Sequence, residues 1–239
     1  MKFSAYIDGF NLYKGALERH PNLKWLDLQL FAQNKLPALQ MSEIFYFTAY
    51  LKKRFPNDSA NSRQHKYLRA LSDSGVKVVP GKFDVRPTWK PIYKQQRGAF
   101  TRPELSSRFG VTQHAINMMW RKAKPHSPQT QILQFREKGS DVNLASYMLR
   151  DVYQNKVKNL LVITGDSDLI TPIRMAEEEG VNVLVIVPTI GRNNMFNKFS
   201  NIFTNVEIIS LEELERAQFP NPYKMTSGRE IAKPAEWKV

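Results

Sequence analysis

The stretch Leu160-Leu161-Val162-Ile163-Thr164-Gly165-Asp166-Ser167-Asp168 constrains the fold more than any other part of the chain. An apolar run of strand length stops at two carboxylates, and a helical pattern from Leu169 to Glu179 starts straight after. Similar runs recur at Phe3–Ile7, Glu43–Tyr50, Val76–Val79, Gln131–Phe135, Gly180–Pro188 and Val206–Ile209. Helical patterns fall between most of them, at Leu12–Arg19, Trp25–Leu36, Arg63–Ser74 and Val142–Tyr153. This alternation predicts an α/β fold with a mainly parallel sheet and right-handed crossovers. In open sheets of that kind ligands bind outside the carboxyl ends of the strands, so acids placed there are candidates for chemistry.

The chain of 239 residues is long enough for one large α/β domain carrying an insert. The absence of cysteine excludes disulfides, thiolate metal sites and cysteine nucleophiles, and four scattered histidines leave oxygen as the main metal donor. The N-terminal Met1-Lys2-Phe3-Ser4-Ala5-Tyr6-Ile7-Asp8 reads as a mature first strand rather than a leader, and no run is apolar enough to span a membrane. A soluble, cytoplasmic protein is the expectation. A formal net charge of +13 attracts polyanions, which makes nucleic acid the leading partner class, and a homodimer is left open. The plainer reading of the charge is solubility.

If the strands share one sheet, Asp8, Asp166 and Asp168 emerge at the same edge, and Asp141 reaches it at a helix start. Gly9 permits a tight exit from the first strand, and Asn11 is open to two readings, helix N-cap or site residue. Asp141 is equally consistent with capping, shared with Ser140, at a positive helix start. Thr171-Pro172 is by itself a sufficient helix start after Asp168, which leaves Asp166 and Asp168 surplus to capping. Carboxylates gathered this closely repel one another unless a cation lies among them, and oxygen-only ligation selects Mg²⁺ or Mn²⁺.

From Gly81 to Phe135 the strand and helix rhythm breaks. Lys94, Arg97, Arg102, Arg108, Arg121, Lys122 and Lys124 load the segment with positive charge, and Trp120 is one of several aromatics among them. Cations for phosphates and rings for splayed bases suit single-stranded nucleic acid, while a basic surface excursion with its own small core fits the same residues. Arg102 to Trp120 also has the outline of a helix-turn-helix, with Thr112 as cap, or of a helical hairpin. After Leu214 the chain turns proline-rich and polar, which predicts an extended tail over 216–239 with Trp237 as an anchor.

Asp8-Gly9-Phe10-Asn11, then Lys138-Gly139-Ser140-Asp141-Val142-Asn143-Leu144-Ala145, then Gly165-Asp166-Ser167-Asp168-Leu169 with Pro172 resemble the three motifs of NYN domains, the LabA-like branch of PIN-like ribonucleases. The resemblance implies a three-layer α/β/α sandwich over 1–215, interrupted by a basic helical insert at about 94–127, and metal-dependent ribonuclease activity, with RNA rather than DNA as partner. It carries over Asp8, Asp141, Asp166 and Asp168 as catalytic, metal-binding acids, and Asn11, Lys138, Thr164 and Ser167 as supporting or substrate-positioning residues. The insert exceeds the usual loop of the family, so its role is not inherited.

A nucleic-acid-binding regulatory module with little or no turnover is the alternative on the same fold. A Toprim-like metal domain wants glutamate after the first strand, where Asp8 stands, and a haloacid dehalogenase phosphatase wants aspartate where Phe10 stands.

Overall fold

The structure, a computed structural model, describes residues 1–53, 57–91 and 129–238. In chain order the elements are β1 (Lys2–Asp8), α1 (Gly9–Leu12) running on as a π-helical turn over Tyr13–Leu17, α2 (Leu28–Lys35), β2 (Gln40–Ala49), α3 (Ala60–Asp73), β3 (Lys77–Pro91) and β4 (Gln129–Lys138). They continue as α4 (Ser140–Tyr153), β5 (Asn159–Ile163), α5 (Ile170–Glu178), β6 (Asn182–Ile190), α6 (Asn194–Ser200), β7 (Val206–Ile209), α7 (Leu211–Arg216), β8 (Tyr223–Lys224) and β9 (Glu230–Ile231). The chain divides into two compact units, one of residues 1–83 and 137–239 and one of residues 84–136.

Seven strands form one sheet in the order β4-β3-β2-β1-β5-β6-β7, and the pairs from β3 across to β7 are parallel. Side chains alternate between its faces with the period of a strand. Phe3, Ala5 and Ile7 of β1, Ile44 and Tyr46 of β2, and Leu161 and Ile163 of β5 join a core with residues of the π turn, α2, α3 and α7. Tyr6, Phe45, Phe47, Leu160 and Val162 face the opposite core, built with α4, α5 and Phe199 of α6. A sheet buried on both faces explains why its strands read as continuous apolar runs; the mainly parallel sheet is what the alternation predicts, and the three-layer sandwich is what the resemblance implies.

Two strands run longer than their sequence signals. β3 was expected over Val76–Val79 and extends to Pro91, and β4 was expected over Gln131–Phe135 and extends from Gln129 to Lys138. Pro80, Gly81, Pro87 and Pro91 read as breakers in a sequence, but pairing of β3 with β2 ends at Gly81, so the later prolines withdraw no donor from that ladder. The basic insert, with the helix-turn-helix outline of Arg102 to Trp120, lies outside the described residues. Among the described residues no helix is long and apolar enough to cross a membrane.

The C-terminal stretch, expected to be extended, holds the antiparallel pair β8–β9 and a 3₁₀ turn at Ala235–Trp237. Trp237 is buried, with its ring centroid 6.3 Å from that of Trp25 and 6.1 Å from that of Tyr67. Trp25 Nε1 donates to the Pro220 carbonyl at 3.2 Å, and Asp73 accepts from Tyr223 Oη at 3.0 Å and from Thr226 Oγ1 at 2.7 Å. A short polar segment is ordered because these contacts exceed the entropy of a free tail. Replacing Trp237 by alanine is expected to lower stability by roughly 3 kcal/mol, the usual loss for a buried large aromatic. The measurement is the shift of the urea midpoint against wild type.

Candidate functional site

The chain leaves β1 toward β2 and β3, and leaves β5 toward β6 and β7. β1 and β5 are therefore the adjacent strands at which the winding reverses, and a crevice opens beyond their carboxyl ends. Their register pairs Ile7 with Ile163, which brings the next residues, Asp8 and Thr164, side by side. Both are buried, Asp8 at 1% and Thr164 at 0% exposure.

A carboxylate this deep needs donors. Asp8 Oδ1 accepts from the Asn11 backbone N–H at 2.9 Å, and its Oδ2 accepts from Asn11 Nδ2 at 2.5 Å and from Thr164 Oγ1 at 3.2 Å. Asp8 is thus the N-cap of α1, and Asn11, read from the sequence as cap or site residue, is a donor to that cap. Thr164 Oγ1 in turn accepts from the Asp166 N–H at 3.1 Å, and Asp166 Oδ1 accepts from the Asp168 N–H at 2.9 Å. One hydrogen-bonded series joins the end of β1 to the turn after β5.

Three local expectations are corrected. Asp166 is not surplus to capping, because it caps a 3₁₀ turn over Ser167–Leu169 that precedes α5. That helix begins at Ile170, before Thr171-Pro172. Neither Ser140 nor Asp141 caps α4: the cap position is Gly139 at φ +89°, with no side-chain cap bond, and Asp141 lies in the first helical turn. Left-handed backbone there is what the glycine supplies.

Glycines also let α1 and the π turn sit close to the sheet. A Cβ on Gly9 would lie 2.5 Å from the Tyr46 ring, and one on Gly15 only 1.8 Å from the Pro188 carbonyl oxygen. A π turn beside a crevice is a frequent companion of functional sites, and its i+5 bond is explicit in Glu18 N–H donating to the Tyr13 carbonyl at 2.7 Å.

The acids sense one another. Asp141 is pushed up from 3.8 to about 6, first by partial burial and then by the negative charges of Asp8, Asp166 and Asp168. Burial also raises Asp8, against the lowering effect of its Asn11 and Thr164 bonds, and Glu137 adds to the rise. Glu137 is a site residue the sequence reading missed. It is raised by burial, held by a hydrogen bond from Ser140, and raised further by Asp141. With β4 ended at Phe135 it looked like loop; with β4 running to Lys138 it is one more acid near a strand end, the signal that singled out Asp8.

Of the supporting residues, Ser167 is half-buried in the 3₁₀ turn and Lys138 is exposed at the end of β4. Lys94, Arg97, Arg102, Arg108, Arg121, Lys122, Lys124 and Trp120 lie outside the described residues.

The donor set is chemically right for a hard divalent cation: oxygen only, in mutual repulsion. Side-chain placement is not closed around an ion, since among the described residues no three histidines, aspartates or glutamates come together as a ligand group. Asp8 is locked by its three donors, whereas Asp168 is exposed and Asp141, its carboxyl partly shielded, still stands at the surface. These are the two with rotamer freedom to adjust.

The raised Asp141 has a consequence for stability. A carboxyl whose folded pKa lies above its unfolded value adds stability that is complete below the unfolded pKa, here 3.8, and lost as pH rises through about 6. In chelator, the melting temperature is expected to fall over that interval, and Asp141→Asn is expected to flatten the fall and to melt higher than wild type at neutral pH. Melting curves across the pH range check this.

A curated relative, 6-hydroxy-3-succinoylpyridine 3-monooxygenase HspA of Pseudomonas putida (strain DSM 28022 / S16), is 28% identical over 263 residues, covering 99% of this chain and 75% of the relative. A solved structure of a Vibrio parahaemolyticus protein of unknown function aligns over 88% of this chain and 94% of that one, at 13% identity and a TM-score of 0.45. The NYN domain family matches residues 2–209. This chain belongs to the NYN domain family, part of the PIN-like nuclease superfamily.

Proposed function

We propose that this protein is a metal-dependent ribonuclease, most simply an endoribonuclease, that hydrolyses RNA phosphodiesters at the crevice between β1 and β5. The observation that supports it best is the buried Asp8 carboxylate, held by Asn11 and Thr164 at the reversal of winding and within electrostatic reach of Asp141. Asp8, Asp141, Asp166 and Asp168 would hold Mg²⁺ or Mn²⁺. When bound, such an ion supplies a nucleophilic water at neutral pH and neutralises charge on the leaving oxygen.

The chain's own residues do the rest. Asn11 and Thr164 keep Asp8 in one rotamer, and their bonds oppose the rise that burial causes in its pKa. Thr164 aligns the turn that presents Asp166, and Asp168 fixes Asp166 through its N–H. Lys138, at the end of β4, would meet a substrate phosphate, and Ser167 would support it from the 3₁₀ turn after Asp166. The catalytic body is 1–215, with 216–239 packed on it through Trp237, and the basic insert at about 94–127 guides the strand. A cytoplasmic location suits the cysteine-free composition.

A second reading rests on the relative named as a monooxygenase, which this chain matches over almost its whole length. Against a nicotinamide or flavin dinucleotide in the β1–β5 crevice stands the turn after β1, where a glycine-rich loop would cradle a pyrophosphate and this chain places the carboxylate of Asp8.

The experiment is incubation of purified protein with labelled single-stranded RNA, single-stranded DNA and duplexes in Mn²⁺, Mg²⁺ or chelator, beside Asp8→Asn and Asp166→Asn. Metal-dependent RNA cleavage is expected, reduced at least about a hundredfold in each variant. Tight binding without cleavage under any metal supports the regulatory module instead. Oxygen-dependent conversion of 6-hydroxy-3-succinoylpyridine in the presence of NADH, with RNA left intact, supports the oxygenase.

A further inference from the structure

Two cavities flank the helix formed by α1 and the π turn. The one toward β6, about 460 Å³, has no Phe, Tyr or Trp in its lining, and its one ring is the imidazole of His20. The one toward β2 and α3, about 350 Å³, is different in kind. It begins at Gly9, the residue after Asp8, and is bordered by Glu137. Phe10 and Tyr13 stand on its rim at 48% and 38% exposure, although both are residue types that helices usually bury. At a separation of three residues they share one helix face, about 4.5 Å apart along the axis.

The rings come with cations. Lys14, Lys24, Lys52 and Arg63 line the same groove. Lys24 Nζ lies 5.0 Å from the centre of the Tyr13 ring and donates to its hydroxyl at 3.4 Å. Lys14 is paired with Glu18 at 2.5 Å and Arg63 with Glu236 at 2.9 Å. Both pairs have exposed partners, and such pairs hold so weakly that a phosphate can displace the carboxylate. Glu18 and Asp58 are in the lining too, so the groove is mixed in charge rather than simply basic.

We infer that this groove is the path of single-stranded RNA beside the cleavage site, with successive bases stacked on Phe10 and Tyr13 and phosphates met by Lys24 and Lys52. The inference rests on the ribonuclease reading for its occupant. Rings that accept any base, ammonium groups beside them, a net charge of +13 and a lining that reaches Gly9, next in the chain to Asp8, and Glu137, whose charge Asp8 feels, together favour a flexible polyanion with exposed bases. A duplex keeps its bases inside the helix and cannot offer them to Phe10 and Tyr13.

The test is equilibrium binding of the full chain to fluorescent oligouridine and to a duplex of the same length, in chelator so that no cleavage intervenes. Phe10→Ala and Tyr13→Ala are each expected to weaken oligouridine binding about tenfold, and to leave duplex binding within about twofold of wild type. Tyr13→Phe, which keeps the ring, restores the affinity. Lys24→Ala with Lys52→Ala lowers the slope of log affinity against log salt by about 1.4, two single-strand phosphate contacts. Both ring positions are exposed, and melting curves confirm that the variants are folded.

Wild-type oligouridine affinity in the folded ring variants overturns the inference, as does a wild-type protein that does not bind oligouridine. The two readings fail separately. Ring-dependent binding with no cleavage under any metal sinks the ribonuclease and leaves the groove, whereas cleavage with unchanged binding in the ring variants does the reverse.

Discussion

The hydrogen bond from Thr164 to Asp8 is the contact on which the site depends. It exists because β1 and β5 pair in parallel with Ile7 opposite Ile163, and a slip of one residue would send each strand's inward set to the other face. Asp8 is almost fully buried, and an isolated carboxylate at that depth would cost several kcal/mol. Two donors from Asn11 and one from Thr164 offset that cost, and both residues are supplied by turns that leave the sheet at the same end. The fold therefore does not merely tolerate a carboxyl group at the strand end; it is shaped locally to hold one there.

Around that point the packing is tight in a way that serves position. Tyr6, Phe45 and Phe47 stack across β1 and β2, with Tyr147 of α4 edge-on to both phenylalanines, and they hold the helix that carries Asp141 against the sheet. Tyr6 also donates to Asp151 at 2.8 Å, which pins the last turn of the same helix. On the opposite face Gly9 and Gly15 let α1 and the π turn lie directly on Tyr46 and Pro188. The helix bearing Asn11, Phe10 and Tyr13 thereby has one available position.

Much of this was legible beforehand, and the misses share a cause. Continuous apolar runs predicted a two-sided parallel sheet because only a strand with partners and helices on both sides buries every residue. Asp8, Asp141, Asp166 and Asp168 could be singled out because each follows a strand or opens a helix. Glu137 was missed because the end of β4 was placed too early, at Phe135. The roles of caps were also misread: Gly139 replaced Ser140, and Asp166 replaced Thr171-Pro172, since a left-handed backbone or a preceding 3₁₀ turn leaves no periodic trace. The tail was read as extended because its proline-rich composition conceals that Trp237 finds Trp25 and Tyr67, about 210 and 170 residues away.

By itself the sequence determined the fold class, the family motifs and which residues could carry charge at the strand ends, because apolar periodicity and turn chemistry are local properties. Only the tertiary structure decided which strand neighbours which, and hence that Asp8 lies beside Thr164, that Asp141 feels three other carboxylates, and that Glu137 belongs with them. It also decided that Phe10 and Tyr13 face an open groove rather than a core. Strand order and side-chain exposure depend on contacts between residues far apart in the chain, and no local pattern records them.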